Sequence, residues 1–143
     1  MLRKILLSMS AVLLLVVSNA RANDSNDPEG LRPLCVKIFE RQRTCTAEFI
    51  PALVAARVKA NKPRGVADKD RAEGRERLVK QALEEWKTDS SDPSIARTCS
   101  GVGAGMPPAQ RQAMQKQGEA CLAEVGCQPF VDCILPAISA MWR

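Results

Sequence analysis

Residues 121–133 read CLAEVGCQPFVDC, with three cysteines at six-residue intervals around a glycine. Gly126 separates two helical patterns, so this stretch predicts an αα-hairpin that turns near Cys127. In antiparallel helices, Cys121 and Cys133 would stand at the same height, about 9 Å from the turn at the rise of an α-helix. This geometry favours a Cys121–Cys133 disulfide, and a Cys121–Cys127 bridge across the turn is the main alternative.

The other cysteines extend this framework to the rest of the chain. All six lie beyond the N-terminal apolar segment, and an even number in an exported chain is typical of a disulfide framework. The chain has no histidine and no Cys-x2-Cys pair, which argues against a metal site and against a thiol-exchange motif. The predicted disulfides are Cys121–Cys133, Cys35–Cys127 and Cys45–Cys99.

The N-terminal segment has the three-part pattern of a secretory signal. Two basic residues precede an apolar stretch over 5–17, and small residues allow cleavage after Ala20 or Ala22. Only 16 residues separate the flanking basic positions, whereas a membrane-spanning helix needs about 20, which disfavours an uncleaved anchor. We therefore predict a cleaved signal peptide over 1–20, export to the periplasm or the extracellular space, and no membrane span after cleavage.

The remaining sequence predicts a tail followed by one helical domain. Residues 21–31 are polar and rich in turn formers, which is typical of a flexible tail, and 32–143 has the length of a single cysteine-rich domain. Apolar residues recur there at helical spacing, and no segment alternates as a strand does. We expect an all-α fold, a small disulfide-stapled bundle of five to six helices. The predicted helices cover about 33–49 with a continuation after Pro51 to 60, 68–87, 92–99, 107–125 and 128–142.

Asp68 is expected as the N-cap of its helix, and the segment 101–105 is expected to be a flexible loop.

Helical periodicity also indicates which side chains form the core. The last helix is apolar over most of its circumference, so we expect it to be the most buried. Residues expected in the core include Leu34, Cys35, Ile38, Phe39, Cys45, Phe49, Trp86, Val125, Phe130, Ile134, Met141 and Trp142.

The charge is concentrated in the first half of the domain. The full chain carries +5, and residues 32–80 hold 13 Lys and Arg against 6 Asp and Glu. Such a stretch attracts anionic partners, although a solvated helical face is the simpler interpretation. With three Phe, two Trp and no Tyr, the chain lacks the aromatic side chains on which nucleic-acid bases stack, so nucleic acid is not expected. The residues predicted to bind an anionic surface are Lys59, Lys62, Arg64 and Lys69.

The residue types needed for common catalytic sites are scarce. Without histidine, the chain cannot build Ser-His-Asp or Cys-His catalysis, and its cysteines are expected to form bridges. Glu84 and Glu85 are adjacent on a helix and point about 100° apart, so they cannot converge on one bond. The glycine-rich segment 101–105 lacks the lysine and hydroxyl residue of a phosphate-binding loop. We therefore expect neither enzymatic activity nor a cofactor.

The predicted function is that of an exported, non-catalytic, disulfide-stabilised helical domain. We expect it to serve as a protein-interaction or structural module with a protein partner that the sequence does not identify. The alternative is a binder of anionic surfaces or of small apolar ligands, through the basic half of the domain or an interhelical pocket. A lipid-sized cavity would favour this alternative, whereas a solid core with a flat exposed patch would favour the interaction module.

Overall fold

A computed structural model describes residues 30–142, and every regular element in that range is an α-helix. The all-α prediction is confirmed, but the described residues form seven helices, so the expectation of five or six is wrong. The helices are α1 Leu31–Thr44, α2 Thr46–Ala60, α3 Val66–Glu73, α4 Arg75–Asp89, α5 Asp92–Cys99, α6 Pro108–Ala123 and α7 Cys127–Ala140.

The predicted helix over 68–87 is divided at Gly74. The backbone of this residue has φ 86° and ψ 151°, and glycine adopts a positive φ at no steric cost because it has no Cβ. Helix α3 therefore ends at Glu73, and α4 begins at Arg75. The sequence pattern treats this glycine only as a weak point of one continuous helix, which is why the predicted number of helices is too low.

The predicted first helix is also divided, at Cys45 rather than at Pro51. Helix α1 ends at Thr44, α2 begins at Thr46, and the proline lies inside α2. The ring of Pro51 clashes with the carbonyl group four residues earlier, that of Ala47, so its effect falls inside the first turn of α2 and after the interruption. At the interruption, Thr46 Oγ1 donates to the carbonyl oxygen of Arg43 over 2.7 Å, which satisfies an acceptor at the end of α1.

Helix α1 begins one residue before the expected domain boundary, and its first residue is held by the glycine-rich segment. Leu31 is buried, and a Cβ built on Gly103 would lie only 2.6 Å from its Cδ1 atom. The backbone turns through hydrogen bonds from Ala104 N to Gly101 O (3.2 Å) and from Met106 N to Gly103 O (3.1 Å). The segment expected to be a flexible loop is thus a series of tight turns packed on α1.

Two groups of helices share the core. Helix α2 packs mainly against α7 and α4, whereas α1 packs mainly against α6 and α5. The α6–α7 hairpin contacts both groups, because α6 lies on α1 and α7 lies on α2. The main cluster of buried residues consists of Cys45, Phe49, Ile50, Val54, Leu78, Cys121, Phe130, Val131 and Ile134.

Trp86 connects α4 to the first two helices. Its ring is stacked on Phe39 with centroids 6.2 Å apart and lies 5.5 Å from the ring of Phe49. The indole Nε1 donates to Thr46 Oγ1 over 3.0 Å. A partly buried tryptophan thus has both apolar neighbours and a hydrogen-bond acceptor, as its amphipathic side chain requires.

Three disulfides cross-link the described chain. Cys121–Cys133 joins α6 to α7 with Cα atoms 5.4 Å apart, so the pair predicted from the hairpin is confirmed. The predicted pairs Cys35–Cys127 and Cys45–Cys99 are wrong. The structure instead pairs Cys35 with Cys99 at 5.7 Å between Cα atoms and Cys45 with Cys127 at 5.3 Å. Three disulfides fit an exported protein in an oxidising compartment.

The two mispredicted pairs depend on which elements pack against α1. Cys35 lies near the start of α1, and Cys45 directly follows its end. Helix α5 packs on α1 and brings Cys99 to Cys35, while the start of α7 brings Cys127 to the α1–α2 junction.

The Cys45–Cys127 bridge also sets the relative direction of two helices. Helix α2 starts directly after Cys45, and α7 starts at Cys127, so both start from the same bridge. The two helices pack along each other, and the guanidinium carbon of Arg57 near the end of α2 lies 5.9 Å from the ring centroid of Trp142. Helices α2 and α7 therefore run in the same direction and end at the same side of the bundle.

Two large apolar residues expected in the core are exposed, as are Ala72 and Ala113, which helical periodicity also assigns to buried faces. Val125 is 89% exposed because α6 ends at Ala123 and the valine lies in the turn of the hairpin. Met141 is 70% exposed because it follows α7, beyond the buried part of that helix. Burial in α7 is confined to Phe130, Val131 and Ile134 near its first half, so the expectation that the whole helix is the most buried one is wrong for its end.

The predicted signal peptide over 1–20, its cleavage sites and most of the predicted tail over 21–31 lie outside the described residues. From Leu31 onward the chain forms one compact unit. Within the described part of the chain, no helix is both long enough and apolar enough to cross a membrane.

Candidate functional site

Helices α2, α3 and α4 line an open groove. It lies in the region that contains the residues predicted to bind an anionic surface. Its floor is apolar and includes Val54, Leu78 and Ala82. The groove has a volume of about 400 Å³ and is open to solvent. The basic side chains that line it are Arg57, Arg64 and Lys69.

The connection between α2 and α3 is held by the side chain of Asn61. This residue is left-handed with φ 49°, and its Oδ1 atom accepts from the backbone N–H groups of Gly65 (3.0 Å) and Ala67 (3.2 Å). The N–H of Lys62 donates to the carbonyl of Arg57 over 2.9 Å, which closes the end of α2. The short connection therefore has a defined backbone that presents its basic side chains at the end of the helix.

Asp68 does not have the capping role expected from the sequence. Helix α3 begins two residues earlier, at Val66, and the amide oxygen of Asn61 accepts from its first turn instead. Asp68 lies within that turn and forms a salt bridge with Arg71. An asparagine side chain satisfies free N–H groups at a helix start as well as an aspartate does, so the residue type alone could not identify the cap.

All three acidic residues of α3 are paired with arginines. Arg75 Nε and Nη2 donate to the two carboxylate oxygens of Asp70 over 2.7 and 2.8 Å, and these hydrogen bonds hold the pKa of the Asp70 carboxyl below its ordinary value. Glu73 contacts the guanidinium of Arg77 at 3.4 Å. Together with the Asp68–Arg71 pair, these contacts leave the carboxylates of α3 neutralised by cations other than those of the groove.

The cations around the end of α2 have no such carboxylate partners. We name the set consisting of Arg57, Lys59, Lys62, Arg64 and Lys69 the basic end. Within residues 30–142, none of the five forms a salt bridge. Lys69 Nζ donates to Gln81 Oε1 over 2.7 Å, and Gln81 Nε2 donates to Glu85 Oε1 over 2.8 Å. Residues 57–69 carry five basic side chains and one acidic side chain, a net charge of +4 (5 − 1).

The structure brings two of the four predicted residues together and separates the others. Arg64 and Lys69 line the same groove, whereas Lys59 lines a second depression of about 530 Å³ between α2 and α7, which is more open to solvent. Lys62 is exposed in the connection between the helices. All four nevertheless remain within one region, because the end of α2, the connection and the start of α3 are adjacent in the fold.

Arg57 is the residue of this site that the sequence analysis missed. It lies three positions after the buried Val54, and residues with that spacing share one face of a helix. Its guanidinium also lies over the ring of Trp142 at 5.9 Å. The sequence signal that could have identified Arg57 is its spacing from Val54, since a cation three positions after a core residue lies at the edge of the buried face of the helix.

The described residues offer no constellation for metal or nucleophilic chemistry beyond these charged groups. No group of three or more Cys, Asp or Glu residues in 30–142 is placed to hold a metal ion. All six cysteines are in disulfides. No protein-family model, curated protein or solved structure matches this chain, so the interpretation of the site depends on its own geometry.

Proposed function

We propose that this chain is an exported, non-catalytic interaction module that binds an anionic partner through its basic end. The observation that carries the proposal is the grouping of five cations without carboxylate partners beside an open groove. Such a cluster creates a local positive potential that attracts and orients negatively charged partners. The acids of α3 do not cancel it, because arginines 71, 75 and 77 already neutralise them. Glu85 in the groove and Asp132 in the depression beside Lys59 accept from glutamines, and these two carboxylates offset only part of the charge of the five cations.

Binding, rather than catalysis, is supported by the chemistry available to the chain. The full sequence has no histidine and no tyrosine, so general acid–base catalysis would depend on carboxylates and lysines. The three acidic residues of α3 are held in salt bridges, and the carboxylate of Glu85, which lines the groove, accepts a hydrogen bond from Gln81. The disulfides restrain the scaffold, so little conformational entropy is lost in ordering the binding surface when a partner associates.

The shape of the surface favours a partner that lies on the protein over a small ligand enclosed within it. The groove and the depression beside Lys59 are both open to solvent. Pockets for small apolar ligands usually bury most of the ligand surface, and neither depression has that form. The small-ligand alternative therefore has no support from these two depressions, whereas the anionic-surface alternative is supported by the basic end.

A heparin column tests whether the basic end, rather than the total charge, binds polyanions. We expect the double variant K62S/R64S to lose at least about tenfold in affinity at an ionic strength of about 0.1 M, because local charge acts within a Debye length of about 10 Å. The matched control K37S/K116S removes the same total charge from exposed positions on α1 and α6. We expect this control to remain within about threefold of the unmodified protein, since its charges lie outside the basic end.

Equal losses in the two double variants would contradict the proposed function, because they would show that only net charge governs retention. Failure of the unmodified protein to bind heparin at low salt would contradict it as well. Circular dichroism of both variants checks that their helical content is unchanged, which is expected because all four substituted side chains are exposed.

A further inference from the structure

The last two described residues lie beside the basic end. Met141 is 70% exposed, and Trp142 is partly exposed with its ring beneath the guanidinium of Arg57. They reach this position because α2 and α7 start from one disulfide and run in the same direction. We name Met141 and Trp142 the apolar tip.

We infer that the basic end and the apolar tip together dock the protein on an anionic phospholipid surface. This inference rests on the proposed function and names the class of its anionic partner. Lysine and arginine side chains close to anionic headgroups add to membrane attraction, and tryptophan is enriched at the boundary between headgroups and hydrocarbon. The two kinds of side chain required for interfacial binding thus occur at one end of the bundle.

A shared depression between α2 and α7 supports the combination of charge and apolar surface. Lys59 lines the depression between α2 and α7 with Pro136 and Ser139 in the second half of α7, so a second cation of α2 lies along the helix that leads to the tip. Long basic side chains can place their charge at the headgroups while their methylene groups cover apolar surface. The arrangement allows Arg57 and Lys59 to contact headgroups while the tip enters the interface.

The composition of the basic end favours a lipid surface over an acidic protein. Three of its five cations are lysines, and lysine is depleted in protein–protein interfaces. Lysine is a compact, strongly hydrated charge that needs no fixed partner geometry, which suits a fluid layer of headgroups. A net charge of +4 over residues 57–69 provides the electrostatic attraction that interfacial binding needs in addition to a small apolar area.

Sedimentation with vesicles tests this inference on the protein in the form in which it is exported. The vesicles contain 30% phosphatidylglycerol in phosphatidylcholine, or phosphatidylcholine alone, at low salt. We expect binding to the anionic vesicles only, and a loss of about 25-fold for K62S/R64S, since each basic side chain near the surface contributes about fivefold. Met141→Ser removes apolar surface from an exposed position and is expected to lower binding about fivefold. The control K37S/K116S is expected to stay within about threefold.

The lipid assignment would be overturned by absence of binding to the anionic vesicles, by equal losses in the two double variants, or by an unchanged affinity of Met141→Ser. Retention on heparin without vesicle binding would indicate a soluble acidic partner, and it would overturn the lipid assignment while leaving the proposed function in place. If the unmodified protein binds neither heparin nor the anionic vesicles, both the lipid assignment and the proposed function are overturned. Replacement of Met141 is not expected to unfold the protein, because its side chain is mostly exposed.

Discussion

Removal of the Cys45–Cys127 disulfide, by replacing both cysteines with alanine, is expected to lower the free energy of unfolding by about 4 kcal/mol. The bridge joins positions 82 residues apart, so its loss releases a long loop in the unfolded chain. The chain-entropy model gives a larger effect for a longer loop. Cys45 is also fully buried, so its replacement additionally perturbs the core. Urea unfolding followed by circular dichroism measures the change.

The Cys121–Cys133 bridge provides a matched comparison because it spans only 12 residues. We expect its double alanine variant to lose about 3 kcal/mol, less than the variant without Cys45–Cys127. Both losses are large against the usual 5–15 kcal/mol stability of a small domain. A loss below about 1 kcal/mol on removal of Cys45–Cys127 would contradict its role in holding α2 to α7.

Phe130→Ala is expected to cost about 3–5 kcal/mol of unfolding free energy, because it leaves a cavity in the centre of the core. Phe130 is fully buried in the first turns of α7. Its ring also lies 5.8 Å from the guanidinium carbon of Arg41, and Arg41 Nη2 donates to the carbonyl of Gly126 over 3.2 Å. The substitution therefore removes both core packing and the surface against which α1 and the hairpin turn are aligned.

The same hairpin contains a control for this substitution. Val125 is 89% exposed, and Val125→Ala is expected to change stability by less than about 0.5 kcal/mol. Equal effects of the two substitutions in urea unfolding would show that α7 does not enter the core through the face that carries Phe130, Val131 and Ile134. The comparison is informative because helical periodicity alone assigns both residues to the interior.

The sequence predicted those features that depend on local chemistry. Asp92 and Pro93 mark the start of α5 in the sequence, because aspartate and proline have separate preferences for the first positions of a helix. The Cys121–Cys133 pair was identified because a hairpin of known turn position fixes which residues face each other. Both conclusions need only the spacing within one or two neighbouring elements.

The features that the sequence analysis missed depend on conformation or on distant contacts. Gly74 was expected to weaken a helix, but its positive φ ends one helix and starts another. The two long-range disulfides required knowledge of where α1 ends and which helices pack on it. Met141 continues an apolar pattern, yet periodicity cannot show where the neighbouring helices stop covering a helix.

The candidate site was predicted in part for the same reasons. The excess of positive charge identified Lys59, Lys62, Arg64 and Lys69, because charge is a property of composition. Their division between two depressions, and the addition of Arg57, follow from the packing of α2 against α4 and α7. The proximity of Trp142 to Arg57 follows from the parallel course of α2 and α7, which no local pattern encodes.

The position of the basic end beside the apolar tip depends most on the Cys45–Cys127 bridge, and non-reducing peptide mapping tests that bridge directly. Trypsin cleaves between Cys35 and Cys45, and Glu-C with chymotrypsin separates the last three cysteines by cleaving after Glu124 and Phe130.

We expect three linked fragments, which join Cys35 to Cys99, Cys45 to Cys127 and Cys121 to Cys133. A fragment that joins Cys45 to Cys99 or Cys35 to Cys127 would contradict the parallel arrangement of α2 and α7, and with it the site inferred at their common end.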